Sequence, residues 1–184
     1  MIFRLFTLIT TLLLSACSLK SPINKTVYIQ SAIEHPIQVN GELKQRIILL
    51  GDAGLSSITP LQASLKKAIV HGEKSPDKTA VIMLGDNIYP SGFPNKTPEQ
   101  PTFNAEQIKH ISFLEAQLQI AKQSRAEMFI LPGNHDWYAT QVDSQAQYIQ
   151  DYAKENKLSA TFMPYQRNSA PLPQMIYREG ISIR

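Results

Sequence analysis

Cysteine, histidine and tryptophan are scarce in this chain: 184 residues hold one Cys, four His and one Trp. A lone thiol, Cys17, excludes an intramolecular disulfide and a thiolate metal cage. The N-terminal apolar stretch, Leu5 to Leu14, falls short of the roughly 20 residues that a membrane-spanning helix needs. Charge of one sign is not concentrated anywhere. The 18 Lys and Arg against 15 Asp and Glu leave a net charge of +3, scattered along the sequence, which argues against nucleic acid as a partner. A hydrophobic fraction of 43% with 18% charged residues excludes a disordered composition, and the length suffices for one domain with a real core.

The first residues differ from the rest. Arg4 supplies a small positive region ahead of Leu5–Leu14, so residues 1–16 read as an export signal. The segment ends in Leu14-Ser15-Ala16-Cys17, which resembles a bacterial lipoprotein signal, with cleavage before Cys17 and lipidation of its thiol. Ser18 after it favours, by the same resemblance, an outer-membrane lipoprotein of the cell envelope facing the periplasm. The alternative is an ordinary secretory signal in which Cys17 is incidental. Residues 17–44, with Pro22 and Pro36 and little periodicity, read as a tether. The folded domain is expected over 45–184. Asn-Lys-Thr triplets at Asn24 and Asn95 match a glycosylation acceptor, which carries no weight in a bacterial lipoprotein.

From residue 45 onward, strands and helices alternate. Three apolar runs each break into a short loop bearing a potential metal ligand: Arg46-Ile-Ile-Leu-Leu-Gly-Asp52-Ala-Gly54, Ala80-Val-Ile-Met-Leu-Gly-Asp86-Asn-Ile-Tyr89 and Met128-Phe-Ile-Leu-Pro-Gly-Asn134-His135-Asp136. Between them Leu61, Leu65, Ala68 and Ile69 recur at helical spacing, and Ile108, Ile111, Leu114, Leu118 and Ala121 define a helix from about Asn104 to Arg125. Asp143 to Lys157 predicts another helix, with Ala146, Ile149 and Ala153 inward. The proline-rich stretch 90–101 excludes a regular element and is expected at the mouth of a site. Strand–helix–strand order of this kind makes parallel strands, so all three loops should emerge at one carboxyl edge, where open α/β folds place ligands.

The residue types at that edge suit a hydrolase that uses metal ions. Asp52 and Asp86 offer hard anionic oxygens that would repel each other without a cation. Asn134 adds a neutral carbonyl oxygen, and Tyr89 a phenol that ionises against a strongly Lewis-acidic centre such as Fe(III). His135 can reach a substrate, with Asp136 placed to fix its tautomer. Gly51, Gly54, Gly85 and Gly133 let the backbone turn sharply and approach the ions.

Taken together, Gly51-Asp52-Ala53-Gly54, Gly85-Asp86-Asn87-Ile88-Tyr89 and Gly133-Asn134-His135-Asp136 resemble the first three motifs of calcineurin-like metallophosphoesterases. The Gly54 and Tyr89 variants are similar to the purple acid phosphatase branch. The matching motifs span residues 46–137, about half of the chain. The resemblance implies an α/β/β/α sandwich around two metal ions, with iron in one position and Fe, Mn or Zn in the other. It implies that Asp52 and Tyr89 hold the first metal, Asp86 bridges both, Asn134 holds the second, and His135 stabilises or protonates the leaving group. The implied reaction is hydrolysis of a phosphomonoester or related small phosphorylated substrate, a metal-bridging hydroxide attacking phosphorus in line without a covalent intermediate.

The family pattern continues with three further histidines. Here the histidines are His35, His71, His110 and His135, and none follows residue 135. The chain therefore resembles the N-terminal half of a metallophosphoesterase. It is expected to be a poor phosphatase alone, with an unpaired sheet edge and an exposed apolar face. The competing reading is a non-catalytic cell-envelope lipoprotein whose half-domain binds a partner or a single metal.

Overall fold

In a computed structural model of the chain, the described residues are 41–138 and 142–163, with the backbone of 176–178 and 181–183 in addition. The expected export signal, Cys17, His35 and nearly all of the expected tether lie outside them.

Aliphatic runs form the strands. In chain order the elements are β1 (Arg46–Leu50), α1 (Ala63–Glu73), a single 3-10 turn (Pro76–Lys78), β2 (Thr79–Met83), α2 (Ala105–Ser124) and β3 (Glu127–Ile130). A short α3 (Asn134–Tyr138), α4 (Val142–Asn156), β4 (Ala160–Phe162), β5 (Ile176–Arg178) and β6 (Ile181–Ile183) follow. The first four strands make one sheet in the order β1-β2-β3-β4, every neighbouring pair parallel. This is a mixed α/β fold. β5 and β6 pair separately as an antiparallel ribbon, Ile176 opposite Ile183.

β2 is central, and all five of its residues are buried. A strand buried on both faces needs a continuous apolar run, and Ala80-Val-Ile-Met supplies one. Its alternation separates two clusters. Val81 and Met83, with Met128 and Ile130 of β3, face Leu65, Ala68 and Ile69 of α1, Leu114, Leu118 and Ala121 of α2, and Ile149 of α4. Leu65, Leu114, Leu118 and Ile149 are wholly buried, each worth about 1.5–3 kcal/mol of transfer free energy. On the opposite face Ala80, Ile82, Phe129 and Met163 form a smaller cluster with Ile47 and Leu131 beside it, while Leu49 and Leu84 are exposed.

α2 starts where the sequence places it. The Asn104 side chain accepts from the Gln107 N–H and the Gln107 side chain accepts from the Asn104 N–H, each at 2.9 Å, a reciprocal capping box. Arg125 ends the helix in the left-handed region with φ 63°. Ile108, expected inward, sits in the first turn and is exposed. β4 and α3 were not legible: three and five residues are too short to display a period.

Candidate metal centre

The parallel ladder runs one residue past each strand. Leu84 N–H donates to the Leu50 carbonyl at 2.7 Å, Leu131 to Met83 at 3.0 Å and Met163 to Ile130 at 2.9 Å. The three ligand-bearing loops therefore leave the sheet in step at its carboxyl edge. Asp52 N–H then donates to the Gly85 carbonyl at 3.3 Å, and Tyr89 N–H to the Gly54 carbonyl at 3.0 Å, which draws the first two loops together.

Both aspartates occupy the left-handed region, Asp52 at φ 54° and Asp86 at φ 53°. Asp tolerates it better than most side chains, yet such positions cost on the order of 1–3 kcal/mol and cluster at functional sites. Two of the glycines act by close approach. A Cβ on Gly54 would lie 2.6 Å from the Asp86 carbonyl, and one on Gly133 would overlap the Asp86 N and Oδ1. Gly85 combines φ 101° with contact to the Gly133 backbone. Gly51 is different: a Cβ there meets Leu84 at an ordinary 3.6 Å, so this glycine is not demanded by the packing.

The geometry brings together Asp52, Asp86 and Tyr89. The Tyr89 hydroxyl lies 2.8 Å from Asp52 Oδ1 and 2.9 Å from Asp86 Oδ2. A phenol carries one proton and here faces two carboxylates, so three oxygens converge on a single proton. Neither carboxylate is in an ion pair with Lys or Arg among the described residues. The arrangement is short of positive charge. Its effect on the phenol is direct: hydrogen bonding to Asp52, then to Asp86, pushes the Tyr89 pKa well above the ordinary tyrosine range. Asp52 is exposed and Asp86 and Tyr89 half-buried, so a cation can enter.

His135 stands beside this cluster. Its ring meets Tyr89 edge-on with centroids 4.6 Å apart and Tyr138 at 5.3 Å. Its backbone N–H donates to Asp86 Oδ1 at 3.1 Å. Asn134 opens α3 and is exposed; among the described residues it makes no hydrogen bond to the other five candidates.

The role expected for Asp136 is corrected. The His135 Nδ1 contacts the Pro90 carbonyl at 2.6 Å, and a carbonyl only accepts, so Pro90 rather than Asp136 fixes the tautomer. Asp136 is fully buried and out of reach of a substrate. Its carboxylate accepts from Gly133 N at 2.8 Å, Asn87 N at 3.1 Å, Asn87 Nδ2 at 3.0 Å and Gln145 Nε2 at 3.3 Å. It ties the third loop to the second. Part of the 90–101 stretch lies against the third loop: a Cβ on Gly92 would touch the His135 and Asp136 carbonyls, and Phe93 is buried.

Sequence reasoning missed the amides beneath the loops. Gln117, from the middle of α2, donates through Nε2 to the carbonyls of Ala53 at 3.2 Å, Asn87 at 2.7 Å and Phe113 at 3.1 Å. Asn87, Gln117 and Gln145 are all fully buried, and among the described residues their side-chain oxygens have no partner. A polar residue on an otherwise apolar helix stripe, Leu114-x-x-Gln117-Leu118, was the available signal. His110 is half-buried against Phe113 and His71 ends α1, both away from the cluster.

Among the described residues no three or more His, Cys, Asp or Glu side chains form a group able to hold a metal ion; the donors that converge are two carboxylates and a phenol. Compared with protein-family models, curated proteins and solved structures, the chain matches none significantly.

Proposed function

We propose that the chain carries the ligand loops of a metal-dependent phosphoric ester hydrolase of the calcineurin-like kind, on half of an α/β/β/α sandwich. The observation that carries the reading is the Tyr89 hydroxyl within 2.9 Å of both Asp52 and Asp86, three hard oxygens around one proton. Replacing that proton by Fe(III) or a divalent cation removes the charge deficit, so the donor set fits a hard metal ion. Asp52 and Tyr89 would hold one ion, Asp86 would be shared, and Asn134 would serve a second. When bound, such ions supply Lewis acidity toward a phosphoryl oxygen and a water of lowered pKa.

The chain's own residues account for the rest. Pro90 anchors the His135 Nδ1–H, which leaves Nε2 as the ring atom that would hand a proton to a leaving oxygen when the ring carries both protons. Asp136 never touches the substrate; it holds Gly133 and Asn87, and hence the loops bearing His135 and Asp86, in register. We place the protein in the cell envelope, held there through Cys17, acting on small phosphomonoesters.

The test reads the coding DNA beyond the Arg184 codon and assays the polypeptide it encodes, loaded with Fe(III) and Zn(II), on an aryl phosphate. Hydrolysis lost on Asp86→Asn supports the proposal. Absence of hydrolysis, together with partner capture that survives Asp52→Ala and Asn134→Ala, would favour a binding lipoprotein instead.

A further inference from the structure

We infer that Gln117 is a positioning residue for the candidate metal centre: its buried amide holds the first and second loops at the separation that lets Asp52 and Asp86 share one cation. The inference rests on the metal-binding reading above.

Gln117 lies among the most deeply buried side chains, on the α2 stripe that also presents Leu114 and Leu118 to the core. An apolar residue there would contribute transfer free energy, whereas this amide costs its desolvation and recovers it only through Nε2. What the amide does explains its presence. Two of its three acceptors are the carbonyls of Ala53 and Asn87, each the residue directly after a candidate ligand, Asp52 and Asp86. The third, Phe113, belongs to its own helix and pins the side chain. One rigid NH2 group thus fixes two peptide groups on different loops. Three carbonyls surround the nitrogen, so the amide cannot be turned over; its unpartnered oxygen stays on the other side.

Both aspartates need such a brace. Each sits at positive φ, a conformation that persists only where the surroundings impose it. The backbone bonds Asp52 N–H to Gly85 and Tyr89 N–H to Gly54 remain when Gln117 is replaced, so the sheet edge survives and only the setting of the two carboxylates loosens.

The experiment titrates chelated Fe(III) into the full chain and follows the visible phenolate-to-iron absorption of Tyr89. Gln117→Met keeps the length and removes the donor. Affinity should fall about 10- to 100-fold, as for other residues that orient metal ligands. Ser124→Ala is the control: that buried hydroxyl bonds Ile120 and Ala126 at the far end of the same helix, so its loss should lower stability and leave Fe(III) affinity unchanged. Unchanged affinity in Gln117→Met, or an equal loss in both variants, overturns the positioning role alone. A wild-type chain that gives no absorption overturns the metal reading and this inference with it. Should Gln117→Met not fold, Ga(III) is titrated into the 15N-labelled wild type. The Gln117 side-chain NH2 resonances are expected to shift in step with binding, and resonances that stay fixed overturn the role.

Discussion

Asp136 gives the sharpest energetic prediction, because two substitutions at this one position should differ. Its carboxylate satisfies four donors: Gly133 N, Asn87 N, Asn87 Nδ2 and Gln145 Nε2. Asp136→Ala leaves all four without a partner in a fully buried site. A dry orphaned donor costs about 1–3 kcal/mol, and water entering the vacated space recovers part of the total. The expected loss is about 4–6 kcal/mol, at the exceptional end for one substitution. Asp136→Asn should be milder. The amide oxygen can take the Oδ2 place and keep Gly133 N and both Asn87 donors. The new amide nitrogen then faces Gln145 Nε2, and Gln145 relieves the clash by turning its amide over. The Gln145 oxygen, without a partner in the wild type, accepts the new hydrogen. What remains is the difference between charged and neutral bonds plus the Gln145 Nε2, which turning over leaves without a partner, about 2–4 kcal/mol together. Urea unfolding followed by circular dichroism reads both values. Equal losses for Ala and Asn, or a loss below about 1 kcal/mol for Ala, would refute the claim that this carboxylate joins the loops. Gln145→Leu should add to the cost of Asp136→Asn by more than it costs alone.

Two further outcomes follow from contacts elsewhere. Gly133→Ala places a methyl against the Asp86 N and Oδ1, so the second and third loops must part; a loss of about 2–4 kcal/mol, overpacking plus the His135 N–H to Asp86 bond, is expected in thermal unfolding. Tyr148 is held neutral by burial, then by its hydrogen bond to Glu115, with Tyr152 and Glu155 also facing it; its folded pKa lies above the unfolded value of about 10. The unfolded chain therefore loses this proton first, so the stability Tyr148 provides is whole below about pH 10 and declines above it. Tyr148→Phe should flatten that alkaline decline in a series of unfolding midpoints against pH.

How much of this was legible in the sequence divides by the length of the signal. The long helix α2 carries a clear period, and the buried strand β2 a continuous apolar run. Parallel strand order followed from helices between strands, and with it the meeting of Asp52 with Asp86 and Tyr89 of a different loop. What stayed hidden is what depends on side-chain direction over short distances. Nothing in Asn134-His135-Asp136 says which neighbour binds the imidazole; α3 turns Asp136 inward and leaves the His135 ring to Pro90. Gln117 and Gln145 look like ordinary polar helix residues until the loops above and beside them are in place. Gly51 shows the converse: a glycine in a motif need not be required by the backbone around it.

The central claim is that Asp52, Asp86 and Tyr89 form a cation site. Titration of chelated Fe(III) into the full chain, read by visible absorption, tests it most directly. A phenolate-to-iron band that grows to saturation is expected in the wild type, and no band in Tyr89→Phe or in Asp52→Ala. No band in the wild type, or a band that persists in Tyr89→Phe, would contradict it.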